Sequence, residues 1–525
     1  MTTPRLLPWL LALAALLALM AGAIAAAAGG LFYTLDDPYI HLALAENIAR
    51  GHYGINLSEP SSPSSSILFP FLLAAFVPAG LDEHAPLLIN ALAVLATLPV
   101  LARILAAHCL AGTGLAGAAP AIALFLLVAL NGVGVAFTGM EHSLHILVGL
   151  VVLLGLLELA ARDRVPDYLV ACAILLPLIR FEGLAVTGAA LLVLLERRRF
   201  REAAIVVAAL AAALALYAGA MAAMGLPVLP SAVFVKLSPA ETSLPDRPVL
   251  SFAVATIVNV IQGVGTKSFA LLLILFALLV YAYRTNVAGT AGRSLAAFGM
   301  LIVLAHLLFG KFGWYARYEL YLLFLVVPIV LYLYRDALVR LFGADRRRRL
   351  VVAAVAATAL VLHLGPRVLA TAPLAARNIA SQQYQMHRFV TGCWRRPVAV
   401  NDLGWVAYRN DAHVLDLWGL GSERARRARM ARAPGWMAGI VAERDVALAM
   451  IYEDWFEGRI PAAWRKLATL RLAGPRISAA RDAVAFFATR EDAVAPLTAC
   501  LDRFKDTLPS GAILELEPPT RARPE

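Results

Sequence analysis

The sequence predicts a polytopic α-helical membrane protein of about eleven transmembrane helices, followed by a C-terminal soluble α/β domain. Three observations predict it. The 525 residues are 61% hydrophobic and only 15% charged, against about 25% charged in a soluble domain. Apolar runs of near-membrane length recur from the N-terminus to residue 365. The basic residues between those runs sort to one face, as they do in cytoplasmic loops.

The apolar runs lie near residues 6–28, 85–107, 118–137, 142–161, 167–180, 183–195, 203–224, 267–284, 296–310, 318–335 and 350–365. A further run, Ile67 to Phe76, is too short to cross and is bounded by Pro63, Pro70 and Pro78, so it reads as an interfacial or re-entrant helix. With that run left out, Arg5, Arg103, Arg162, Arg164, Arg197 to Arg201, Arg284, Arg293 and Arg335 to Arg349 all fall on one side, the cytoplasmic one. The first run is long for a signal peptide and reads as an uncleaved anchor, which places the N-terminus in the cytoplasm. A transmembrane domain, 1–365, with an outward loop, 29–84, and an outward cap domain, 366–525, follow from this parity. The expected location is a bacterial cytoplasmic membrane.

The net charge of +11 does not point to nucleic acid, because the basic clusters Arg197 to Arg201 and Arg346 to Arg349 separate apolar runs and no basic, aromatic-interleaved soluble module is present. Among the four cysteines, Cys109 and Cys172 sit in apolar runs, while Cys393 and Cys500 share the outward domain and can pair there if the geometry permits. The cap domain alternates short apolar runs, Pro397 to Val400, Val414 to Trp418, Val446 to Tyr452 and Ala483 to Phe487, with Arg- and Ala-rich helical stretches. Trp405, Tyr408 and Trp418 suit either stacking on sugar rings or core packing.

The unusual polar residues collect on the outer face: Asp36 and Asp37, Thr138 to His142, Arg180 to Gly183, Pro230 to Lys236 and Lys311 to Arg317. Adjacent carboxylates beside a membrane run repel each other and lose hydration, so a cap, a cation or a reaction must hold them. Asp37 before Pro38 suits a helix N-cap, which leaves Asp36 to be explained. The helix from Pro38 to Arg50 places Ile40, Leu44 and Ile48 on one stripe and reads as lying on the membrane. The Ser58 to Ser66 stretch reads as a plain connector. Thr138 and Glu141 fit a capping box, Arg180 and Glu182 fit an ion pair across a turn, and Lys236 and Arg317 fit snorkelling side chains. The spans carry few ionisable groups beyond His145, Glu158 and His306, and show no matching halves of the kind a transporter uses.

Asp36-Asp37-Pro-Tyr-Ile, Ala49-Arg-Gly-His-Tyr-Gly, a Ser/Pro loop, Gly139-Met-Glu, Arg180-Phe-Glu-Gly and Val235-Lys236 occur in an order that resembles GT-C membrane glycosyltransferases. The similarity is closest to the mycobacterial arabinofuranosyltransferase type, which uses decaprenyl-phospho-arabinose; Asn401 to Tyr408 and Val414 to Leu420 resemble its soluble domain. Pro38 and Phe181 depart from the family pattern. The resemblance implies inverting transfer of one pentose or hexose from a polyprenyl-phosphate donor to an envelope glycan or lipid acceptor. Asp36 or Asp37 would be the base, Lys236 and Arg317 would bind the donor phosphate, and Tyr39, Glu141, His142, Arg180 and Glu182 would shape the sugar or acceptor pocket. Adjacent carboxylates are compatible with a divalent metal, but no further acidic ligand accompanies them, so neither metal nor cofactor is assigned. The alternatives are a lipid-linked sugar carrier or flippase, and a transferase of an oligosaccharide or phospho-group.

Overall fold

The computed structural model describes residues 6–232, 248–314, 317–343 and 365–518. The chain opens with α1 (Leu7–Ala28), whose 22 apolar residues rise about 33 Å at 1.5 Å each, enough for a hydrocarbon core of about 30 Å. Leu11 and Leu19 stand exposed on it, as lipid-facing side chains do. Among the described residues six helices are long and apolar enough to cross: α1, Ala85–Cys109, His142–Arg162, Phe200–Ala223, Lys267–Thr285 and Gly289–Phe309. The chain is a multi-pass, membrane-associated helical protein.

Among the described residues eleven spans is therefore corrected to six of full length, and the reason is local. Asn131 adopts a left-handed conformation (φ 61°) and splits the run 118–137 into Ala119–Ala129 and Gly132–Ala136. The runs at 167–180, 183–195 and 318–335 become helices Asp167–Ile179, Gly183–Glu196 and Leu320–Leu333, of 13, 14 and 14 residues, each rising only about 20 Å. The first two pack as a hairpin closed by Arg180, Phe181 and Glu182, with Thr187 Oγ1 donating to the Ala173 carbonyl at 2.7 Å. Gly183 is required there, because a Cβ would stand 2.6 Å from the Leu176 backbone. The run 350–365 lies outside the described residues. Ile67 to Phe76 does form only a short helix, Phe69–Ala74.

A second correction concerns α2 (Asp37–Ala49). It does not lie on a membrane with one face apolar: every residue from Pro38 to Ala45 is buried. Its apolar sides are covered from below by the loop and short helix around Phe69, and from above by the C-terminal domain, whose residues Leu403, Trp405, Val406 and Tyr408 share one core with Tyr39, Leu42 and Ala43.

That domain is built on a six-stranded mixed sheet in the order β2-β1-β3-β5-β4-β6. Strands β1 (Val398–Val400), β2 (Val414–Asp416) and β3 (Leu448–Ile451) pair in parallel and are wholly buried. Strands β4 (Arg465–Leu472), β5 (Ala483–Ala488) and β6 (Ala512–Leu516) complete the sheet antiparallel. Cys393 and Cys500 form a disulfide that ties the segment before β1 to the helix Val494–Lys505, with Cα atoms 6.0 Å apart. The helix Gly365–Ser381 packs along α1, and its Ala372 and Ala376 belong to the core of the membrane helices, so the two parts are joined by a shared element.

Candidate functional site

Neither carboxylate of the acidic pair caps α2. Asp36 occupies the N-cap position and Asp37 the first turn, yet no side-chain cap bond forms. Asp36 is buried, and its two oxygens accept the backbone N–H groups of Trp405 (2.9 Å) and Gly404 (2.7 Å), binding the loop after α1 to the C-terminal domain. Gly404 admits this approach because a Cβ would meet the Asp36 side chain at 2.5 Å. Asp402, from the same loop as Gly404, lies beside it and is held by Gln383 Nε2 (2.9 Å) and the Tyr452 hydroxyl (2.9 Å). Burial, then the charges of Asp402 and Asp37, push the Asp36 carboxyl well above the ordinary value despite the two N–H donors. Burial also raises Asp402, and the charge of Asp37 adds to it, so the pair favours a shared proton.

Asp37 turns the other way and keeps over a third of its side chain exposed. It pairs with Arg317 Nη2 at 2.5 Å; the same nitrogen donates to the Tyr318 hydroxyl at 2.9 Å. The Arg317 side chain is 3% exposed, and its Nε and Nη1 have no hydrogen-bond partner among the described residues. A buried guanidinium with two unmade bonds is costly, and an anion beside it would relieve that cost.

The Tyr318 ring meets the edge of His142, which leads to a second charged cluster. Arg180 Nη1 pairs with Glu141 at 2.5 Å and lies 3.4 Å from His142 Nε2, while Nη2 pairs with Glu182 at 2.8 Å. Glu141 also receives the Ser65 hydroxyl at 3.0 Å and faces His41 Nε2 at 3.8 Å. Burial alone would raise Glu141, but Arg180, His41 and Ser65 outweigh it and hold the carboxyl below its ordinary value. The capping box with Thr138 is not formed; the helix begins at His142 without a side-chain cap. Alongside runs an apolar cavity of about 280 Å³, lined by Phe181, Glu182, His306, Lys311 and Tyr321.

Asp37, Glu141, His142, Arg180, Glu182 and Arg317 thus come together as one polar line at the ends of the membrane helices. Tyr39 does not join it: its ring lies fully buried, 4.0 Å from Trp405, in the inter-domain core, where Trp405 and Tyr408 also pack. Lys236 lies outside the described residues. His145 and His306 pack against Tyr321, and Glu158 pairs with Arg103. The sequence reading missed His41, Ser65, Tyr318 and Asp402. Asp402 and His41 stand inside motifs that were singled out, but Ser65 lies in the Ser/Pro loop read as a connector; Ser61, Ser62, Ser64 and Ser66 of that loop are buried. Among the described residues no group of three or more His, Cys, Asp or Glu side chains is arranged to hold a metal ion.

A family model, a domain of unknown function (DUF8728), matches residues 377–487, from the helix that packs on α1 through most of the C-terminal sheet. No curated protein matches the chain.

Proposed function

We propose that the chain is an inverting membrane glycosyltransferase that moves one sugar, a pentose such as arabinofuranose or a hexose, from a polyprenyl-phosphate donor to an envelope glycan or lipid acceptor on the outer face of a bacterial cytoplasmic membrane. The observation that carries this reading is Arg317: a buried cation whose Nε and Nη1 have no hydrogen-bond partner among the described residues, holding the half-exposed Asp37 carboxylate beside it. The acceptor hydroxyl oxygen attacks the anomeric carbon, its proton passes to Asp37, and the bond to the phosphate breaks to release polyprenyl phosphate as an anion. Arg317 fixes the base and offers Nε and Nη1 to the anion that forms, a role of the kind fixed donors serve at developing charge. Of the two carboxylates Asp37 is the base, because both oxygens of Asp36 are committed to backbone donors. Arg180, held between Glu141 and Glu182, gives a rigid polar wall for the sugar, and the apolar cavity beside Glu182 suits the first isoprene units.

The test is transfer by the purified full chain in vesicles, given a panel of polyprenyl-phospho-pentoses and -hexoses labelled in the sugar. Label should leave the lipid with inversion for one donor. Asp37→Asn should cut that rate, measured per folded molecule because the variant also removes the counter-charge of the buried Arg317, by about 10² or more, the scale of general-base catalysis. Movement of intact donor across the bilayer with no sugar released, or near wild-type transfer by Asp37→Asn, would overturn the reading.

A further inference from the structure

A second polar recess lies where α1 ends, apart from the charged line described above. It is a cavity of about 630 Å³ between the last turn of α1, the helix Gly365–Ser381, the helix Gln383–Arg388 and the turn before β6. Its floor is apolar, formed by Ala27, Ala28 and Phe32. Its walls carry Arg377 and Arg388 with the hydroxyls of Ser381 and Ser510, and no carboxylate is among the lining residues. Arg388 is held in place by Gln385 Oε1 (2.6 Å) and the Thr507 carbonyl (3.2 Å), neither of which neutralises it. Arg377 is exposed and makes no hydrogen bond or ion pair among the described residues. Elsewhere in the C-terminal domain arginines are commonly paired with carboxylates, as Arg424, Arg444, Arg471 and Arg481 are.

The location decides the ligand class. Since α1 spans about one hydrocarbon thickness, its last turn marks the level at which lipid phosphates lie. Two guanidiniums over an apolar floor at that depth match a phosphate ester whose organic part continues along α1. Arginine is suited to this task, since its planar fork donates to two phosphate oxygens at once.

We propose that this recess binds the phosphate group of an anionic membrane lipid, one whose headgroup carries no cation to compensate it, gripped by Arg377 and Arg388, and that it anchors the C-terminal domain to the bilayer surface. The inference does not rest on glycosyl transfer, and neither arginine belongs to the line around Asp37. The shared chemistry is a phosphate anion, which free phosphate also offers, so the experiment separates the two sources. Full-length protein in neutral detergent is titrated with phosphatidylglycerol, with phosphatidylcholine and with inorganic phosphate, and retained ligand is counted by native mass spectrometry. Phosphatidylglycerol should be retained at least tenfold more tightly than phosphatidylcholine. Arg377→Ala should abolish that preference and Arg377→Lys should restore most of it, each with an unchanged unfolding midpoint. Inorganic phosphate should compete only at far higher concentration. Equal retention of the two lipids, an Arg377→Ala variant that still discriminates, or free phosphate binding as tightly as the lipid would overturn the proposal.

Discussion

At the residue scale, the adjacent carboxylates Asp36 and Asp37 have been given opposite work by the elements around them. Asp36 is a buried acceptor for two backbone N–H groups of the C-terminal domain, and Asp37 is a half-exposed acceptor for one guanidinium. Asp36→Asn replaces one acceptor oxygen with an amide that faces a donor. It should lower folding stability by about 1–3 kcal/mol, the cost of a buried polar group left unmatched, with transfer per folded molecule retained, and so differ from Asp37→Asn, which removes the base together with the counter-charge of the buried Arg317 and should lose transfer. The neighbouring pair Asp36 and Asp402 adds a dependence on pH. Each carboxyl is raised in the folded chain above its ordinary value of 3.8. Folded protein therefore binds more protons than unfolded protein over the window from the ordinary value up to the raised one, and stability falls as pH rises through it. Glu141 is shifted the other way, so its contribution is lost only below the ordinary carboxylate range. Through this pair, thermal midpoints measured from about pH 8 down to about pH 5 gain a rising component, which the partly buried His387 and His413, each lowered from 6.5 to about 4, oppose over the lower part of that range. Asp402→Asn should flatten that rise by replacing the like charge with an amide donor, and an unchanged slope in that variant would refute the shared-proton account.

At the element scale, the short helices Asp167–Ile179 and Gly183–Glu196 explain both what was legible in the sequence and what was not. Their apolar composition reads as two spans, but the turn at Arg180 to Glu182 ends the first after 13 residues and opens the second, which runs only 14 residues, to Glu196, before Arg198 turns left-handed (φ 57°). Composition reports apolarity along the chain; it does not report where a helix ends when a buried ion cluster offers its turn other bonds. The same limit explains Ser65, whose Ser/Pro loop carries no periodicity and whose role exists only against Glu141. The four strands read as apolar runs, the parallel β1, β2 and β3 and the antiparallel β5, were legible because a strand buried on both faces is a short continuous hydrophobic stretch. Strand β4, with Arg465, Lys466 and Arg471, and the edge strand β6 mix polar with apolar residues and gave no such run. The cluster at the turn also makes a prediction. Arg180→Ala would leave Glu141, fully buried, and Glu182 without their cation. Removing one partner of a buried pair costs about 3–5 kcal/mol, so this variant should unfold well below wild type. Arg180→Ala combined with Glu141→Gln should recover much of that loss, and a double variant no more stable than the single would show that the cluster is not held together by charge.

At the scale of the whole molecule, the segment between α1 and the helix Ala85–Cys109 and the C-terminal domain form one body. Asn56 exchanges hydrogen bonds with the Val414 backbone in both directions, Glu59 pairs with Arg444, and Asp36 binds Gly404 and Trp405. These contacts join segments far apart in sequence, which is why no local pattern announced them, and they require residues 50–60 and 398–452 to lie on the same side of the membrane. The disulfide between Cys393 and Cys500 favours an oxidising compartment for that side, in agreement with the basic loops assigned to the cytoplasm. Single cysteines at Leu57, exposed on the loop, and at Thr498, exposed on the last helix, should therefore both react with a membrane-impermeant thiol reagent applied to intact spheroplasts. Arg198→Cys, between two membrane helices in the basic cluster, should react only after the membrane is opened. Labelling of Leu57→Cys without Thr498→Cys would contradict the inter-domain contacts themselves. Protection of both, with Arg198→Cys reactive, would leave the contacts intact and reverse the orientation, placing the acidic pair and its acceptor in the cytoplasm.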